Sequence, residues 1–179
     1  KNFQAGDGKD GGLRILKVSA VTSGAYREVE SKPSPDGYAP PTNHFVRVGD
    51  LLFSRANTAE LAGATAIVES TDGKTLLPDK LWRFVWRCEV DVAYMHALFQ
   101  TPAIRGELTK LASGTSDSMR NISQAKLFEL RLPIAAISEQ HRFGELSRRA
   151  MSMIAQQVDA LGKAQATFDA LLGSAFRET

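Results

Sequence analysis

A chain of 179 residues, 43% of them apolar, with 22 Lys and Arg against 20 Asp and Glu and a formal net charge of +2, is long enough for one packed domain with an appendage or for two small domains. The near-balanced sum neither demands nor excludes a nucleic-acid partner, because cations gathered on one face disappear in a total. The one cysteine, Cys88, excludes an internal disulfide and a clustered-cysteine zinc site.

With no apolar run near the roughly 20 residues of a membrane-spanning helix, a soluble cytoplasmic protein is expected, with Cys88 packed in its interior. Residues 1–12 are rich in Gly, Asp and Lys and are expected to lack a shape of their own, in a chain that starts inside a larger reading frame. Residues 13–18 alternate as a strand does. Residues 31–42 carry Pro33, Pro35, Gly37, Pro40 and Pro41, which predicts a surface loop with no regular element. Gly49-Asp50 reads as a turn, residues 51–55 as a strand and residues 64–68 as another. A third strand over residues 82–88 places Trp82, Phe84, Trp86 and Cys88 on one face and Arg83, Val85 and Arg87 on the other.

Residues 91–100 and 102–111 have helical spacing, with Pro102 acceptable in the first turn of the second helix. Residues 113–122, Ser-Gly-Thr-Ser-Asp-Ser-Met-Arg-Asn-Ile, supply polar donors and no core. Held between a helix and a strand, they predict a recognition loop for an anionic or base-edge partner. Ser123 is placed to cap a short helix through Phe128, and residues 130–134 resume an extended course that Pro133 limits to an edge.

From Ser138 to Phe176 no proline occurs. Met151, Ile154, Val158, Leu161, Phe168 and Leu172 form a near-heptad stripe that Gln165 interrupts at a core position, where a polar side chain sets register at a cost in stability. A helix of that length reaches about 60 Å, beyond what the preceding residues can cover, so the stripe needs a partner helix from a second copy, another protein or another part of the same protein. The competing arrangement is a helical hairpin broken at Gly162 or Gly173.

Catalytic patterns fail on spacing. Gly6-Asp7-Gly8-Lys9-Asp10-Gly11 spells a dinucleotide fingerprint but precedes a strand instead of following one. His44, His96 and His141 form no metal pair on one helix face. Ser116 and Ser118 lack a strand-to-helix nucleophile elbow. The nearest nuclease-like carboxylates, Asp79, Glu89 and Asp91, lack the closing lysine, and neither a nucleotide-triphosphate loop nor a base-positioning segment for methyl transfer is present. No cofactor and no catalytic activity are expected.

Four stretches together resemble one repeat of the DNA specificity subunit of type I restriction-modification enzymes. They are residues 49–55 with 63–68, the Gly-Thr-Ser segment 113–122, Leu132-Pro133-Ile134 with Glu139-Gln140, and residues 13–24. The chain departs from the family at Ala135-Ala136-Ile137-Ser138, where a second proline is usual, and it lacks the segment that usually precedes the first strand and a second recognition domain. The resemblance implies an α+β protein, with a mixed α/β target recognition domain over residues 1–137 and a coiled-coil-forming spacer and dimerisation helix over residues 138–179. It implies a non-catalytic subunit, a fragment or a half-length version of one. Its partners would be double-stranded DNA, methyltransferase subunits, through them the restriction subunit, and a second copy or half through the helix. A half-length subunit would read inverted half-sites of a bipartite target. A recognition domain of a larger single-chain restriction or methylation enzyme, and a helix-mediated assembly protein without DNA contact, are the alternatives.

Arg120 and Asn121 are the best base readers by residue type, since Arg suits guanine and Asn suits adenine. Thr115, Ser116 and Ser118 suit phosphates. Arg27, Arg55, Asn57, Lys80 and Arg83 are further DNA-contact candidates, and Met151, Ile154, Val158, Leu161, Gln165, Phe168 and Leu172 form the helix interface.

Overall fold

A computed structural model describes residues 12–116 and 119–176 of the chain. Its central strand, β3 (Leu51–Ser54), is buried at every position. Alternation along a strand sends Leu51 and Phe53 to one face and Leu52 to the other. The first face joins Met95, Phe99, Ile104 and Leu108 in one core, and the second joins Leu16, Val21, Val46, Ala66, Val68 and Leu81 in another. A strand covered on both sides needs apolar residues at consecutive positions, hence the run Leu-Leu-Phe. Each fully buried side chain of this size contributes about 1.5–3 kcal/mol of transfer free energy.

Three small sheets surround this arrangement. In the first, β3 is flanked antiparallel by β5 (Thr65–Ile67) and β7 (Leu81–Arg83). In the second, β1 (Arg14–Leu16) pairs antiparallel with β2 (Ser31–Pro33) and parallel with β6 (Thr75–Leu76). In the third, β9 (Met119–Asn121) lies between β4 (Ala56–Asn57) and β8 (Ser113–Ser116), antiparallel to both.

Helices α1 (Val92–Gln100) and α2 (Pro102–Leu111) cover one face of β3. Their starts are set by side-chain caps: the Asp91 carboxylate accepts from Tyr94 N at 2.9 Å, and Thr101 Oγ1 accepts from Ile104 N at 3.5 Å with Pro102 following it. Ser123 caps α3 (Gln124–Glu129) through Lys126 N at 3.3 Å. Helix α4 runs unbroken over Ile137–Ala175, 39 residues. Sheets and helices with a long C-terminal helix make the α+β class expected from the sequence. No helix among the described residues is long and apolar enough to cross a membrane.

Several expectations are corrected. Ser31–Pro33 is a strand after all, because an edge position asks no inward donor of Pro33 opposite Arg14. The strand expected over residues 82–88 stops at Arg83. Its partner β3 begins at Leu51 just after a turn, so after Phe84 N donates to Leu51 O at 3.1 Å the ladder has nothing further to pair with. Beyond that point Phe84 and Trp86 stack at 5.0 Å over the core while Cys88 is exposed, not buried. Residues 113–122 are not an irregular loop but carry β8 and β9, a hairpin. Residues 130–134 form no strand; Leu130 and Leu132 pack on the core as single side chains. Helix α4 passes through Gly162 and Gly173 without a break, so there is no helical hairpin. The Gly6–Gly11 segment lies outside the described residues.

Candidate nucleic-acid interface

Arg55 is the point where the chain leaves one sheet for another. It follows β3 and precedes β4; its N–H donates to Lys80 O at 3.0 Å beside β7, and its carbonyl accepts from Ile122 N at 2.8 Å beyond β9. The backbone of this residue therefore ties the central sheet to the hairpin sheet. Its side chain is held as firmly. Nε donates to Asp79 O at 2.7 Å, Nη1 donates to Asn121 Oδ1 at 2.9 Å, Nη2 lies 3.5 Å from Asp79 Oδ2, and the guanidinium sits 5.5 Å from the centroid of the Trp82 ring.

The hairpin places Arg120 opposite Asn57, and Asn121 opposite both Ala56 and Ser113. Residues opposite one another in an antiparallel pair share a face, so Asn57 and Arg120 lie together on one side of this sheet. Gly114 makes the pairing possible: a Cβ there would stand 2.4 Å from Met119 O. Asn57 Oδ1 accepts from Thr58 N at 2.9 Å, which fixes its amide at the end of β4. Arg55, Asn57, Arg120 and Asn121, drawn from two stretches of chain more than sixty positions apart, thus converge at the hairpin, with Asp79 and Lys80 at its margin.

The remaining candidates lie elsewhere or are otherwise engaged. Arg83 turns inward: Nη2 pairs with Asp50 Oδ2 at 2.7 Å and donates to Phe45 O, with side chains only 14% and 13% exposed for the ion pair. Arg27 is exposed beside Glu30 at 3.5 Å, next to the β1 sheet. Thr115 and Ser116 have their backbone in β8. Ser118 lies outside the described residues.

A second constellation, unforeseen from residue types alone, joins α4 to the rest of the chain. Gln140, 3% exposed, accepts from Asp91 N at 3.2 Å and donates to Ala135 O at 2.8 Å. The Asp91 carboxylate receives Arg148 Nη1 at 3.2 Å, and Tyr94 meets Phe143 edge to face at 5.8 Å while its hydroxyl donates to Pro133 O and accepts from Ala135 N. The available signal was Glu139-Gln140 at the junction. Gln140 and Gly144 continue the heptad phase of Met151, Ile154, Val158, Leu161, Gln165, Phe168 and Leu172, so one stripe of α4 starts against α1 and then runs on uncovered. Its apolar members are 41–70% exposed, and Gln165 bonds Asp169 at 3.0 Å along the helix. No group of three or more possible metal ligands occurs among the described residues.

No protein-family model matches the chain. Over 126 residues it is 32% identical to the type I restriction enzyme EcoEI specificity subunit of Escherichia coli, a match that covers 69% of this chain and 21% of that protein. Over 175 residues it is 25% identical to the type I restriction enzyme EcoKI specificity subunit of Escherichia coli strain K12, covering 93% of this chain and 37% of that protein. The chain thus spans between a fifth and two fifths of the curated relatives it matches. By sequence, the chain belongs to the family of type I restriction enzyme specificity subunits.

Proposed function

We propose that this chain reads one half of a bipartite double-stranded DNA target through the β8–β9 hairpin and the Arg55 pivot, without catalysis of its own. One observation carries the reading: the hairpin sheet sets Asn57 beside Arg120, and Asn121 of the same strand is tied to Arg55 by a 2.9 Å hydrogen bond. These are the side-chain types that pair with base edges in the major groove, and β-sheet readers of DNA place strands in a groove. Thr115, Ser116, Ser118 and Lys80 would contact phosphates beside it. Arg27 would reach the backbone only at a distance from the hairpin, and Arg83 serves the fold.

In this reading residues 1–137 form the recognition domain and residues 138–179 the spacer. The stripe from Met151 to Leu172 receives a second copy or a second half of the same subunit, and the assembly docks methyltransferase subunits and through them the restriction subunit. The test is retention of the chain on a pool of duplex DNA as salt is raised. Phosphate contacts release counterions, so log affinity should fall linearly with log salt by about 0.9 per phosphate neutralised, and a defined sequence should be enriched from the pool. Binding that ignores salt and enriches nothing would sink the proposal.

A further inference from the structure

We infer that Arg55, Asn121 and Asp79 act as one unit that reads a G·C base pair, with the first two donating to guanine and the third accepting from cytosine; this rests on the DNA-reading role just proposed. An unengaged asparagine offers a carbonyl and an amide side by side and so suits adenine, which presents an acceptor and a donor. Asn121 is not unengaged. Its Oδ1 already accepts from Arg55 Nη1 at 2.9 Å, which leaves the Nδ2 hydrogens as what the side chain can give a base.

Arg55 contributes donors of the same kind. With Nε on Asp79 O, one Nη1 hydrogen on Asn121 and Nη2 facing the Asp79 carboxylate on one side, the other Nη1 hydrogen and the second Nη2 hydrogen remain, on a guanidinium kept in place by the Trp82 ring. Asp79 supplies the opposite character. Its carboxylate stands 3.5 Å from Arg55 Nη2 and its side chain is 79% exposed, against 26% for Arg55.

The cluster therefore presents donor, donor, acceptor. In the major groove a G·C pair presents the complement: the N7 and O6 acceptors of guanine, then the N4 donor of cytosine. An A·T pair would set the adenine N6 hydrogens against donors and leave them unpaired, which is costly once water is excluded. The Asp79 carboxylate also argues against a phosphate at this point, since it would repel one. That directs the cluster to bases and leaves the backbone to other residues.

The experiment is selection of duplexes from a random pool by the full chain and by two variants, Asn121→Asp and Asp79→Ala. Asn121→Asp keeps an oxygen for Arg55 and replaces the Nδ2 donor with an acceptor; Asp79→Ala keeps the backbone carbonyl that holds Arg55 Nε and removes the acceptor for cytosine. The selected site of the full chain should contain a fixed G·C pair whose preference falls about 5-fold to about 150-fold in each variant, with the other fixed positions kept. A site unchanged at every position in both variants, or changed only at an A·T pair, would overturn the inference while leaving DNA reading intact. Failure of the full chain to enrich any sequence would remove the DNA-reading role and this inference together. Thermal melting of each variant identifies one that has lost its fold, and the other then decides.

Discussion

The Asp91 carboxylate rests directly on the backbone of Gly144: a Cβ at residue 144 would lie 2.3 Å from Oδ2 and 2.4 Å from both Cγ and Oδ1. The carboxylate has little room to withdraw. It caps α1 through Tyr94 N, it holds Arg148, and the Asp91 backbone N–H is bound by Gln140. Asp91 thus seats the long helix on the start of α1 through Gln140, Gly144 and Arg148. Gly144→Ala is expected to cost about 1–3 kcal/mol through overpacking, read as a lower midpoint in urea unfolding followed by circular dichroism. Gly162→Ala, where no atom lies within 4 Å of the added methyl, should instead stabilise by up to about 1 kcal/mol through helix propensity. Equal behaviour of the two variants would show that the Asp91 contact does not constrain the helix.

Arg83 separates fold from recognition. Its ion pair with Asp50 is largely covered, and the same guanidinium donates to the Phe45 and Asn43 carbonyls. Removing one partner of such a pair leaves the other charge buried. Arg83→Ala should lower stability by about 3–5 kcal/mol without altering which bases a selected DNA site contains, whereas Asn57→Ala should change base preference with little effect on melting. Altered base preference in Arg83→Ala at a temperature where it is fully folded would restore Arg83 to the interface.

How much of this was legible in the sequence depended on the range of the forces involved. The Ser123 cap of α3, the strand at β3 and the length of α4 follow from residues next to one another, and they appear where the pattern puts them. Local pattern makes the β7 strand too long because its end is set by where β3 begins, some thirty positions earlier in the chain. The hairpin at 113–122 is hidden in the sequence because its Gly, Asp, Asn and Ser residues carry a turn signal with little strand propensity. What makes them strands is the β4 edge and the close approach at Gly114. The Arg55–Asn121 bond spans 66 positions, and no local pattern encodes it. The inward turn of Arg83 depends in the same way on Asp50 and Phe45.

His96 gives a pH dependence with a definite sign. Burial pushes its imidazole below the usual value near 6.5, only partly offset by a hydrogen bond with the Gly24 backbone and by the Glu69 charge. Its Nδ1 lies 3.0 Å from Thr65 Oγ1, which accepts from Gln100 Nε2 at 3.1 Å and so has its own hydrogen to give to a neutral ring. Above about pH 6.5 the histidine is neutral folded and unfolded, and it adds no pH dependence. Below that value the unfolded chain takes up the proton first, so stability falls as pH drops from 6.5 toward the lowered folded value. His96→Gln should flatten urea midpoints over that window. A variant that keeps the full acid sensitivity of the parent would place its origin in another group.

The stripe on α4 predicts association through one face of one helix. Gln140 and Gly144 occupy its first positions against α1, so cutting the chain just after Ile137 would remove part of the packed junction as well as the stripe. A substitution in the uncovered part is the cleaner test. Leu161 is 70% exposed in the single chain, so Leu161→Glu should leave melting of the isolated unit nearly unchanged, while a charge at a coiled-coil core position should abolish pairing. Light scattering should then give about 39 kDa for the parent, twice the 19.5 kDa chain, and the mass of one chain for the variant. If parent and variant both run as single chains, the stripe waits for a different helix, and mixing the parent with a complementary half of a specificity subunit should raise its mass where the same mixture with Leu161→Glu does not.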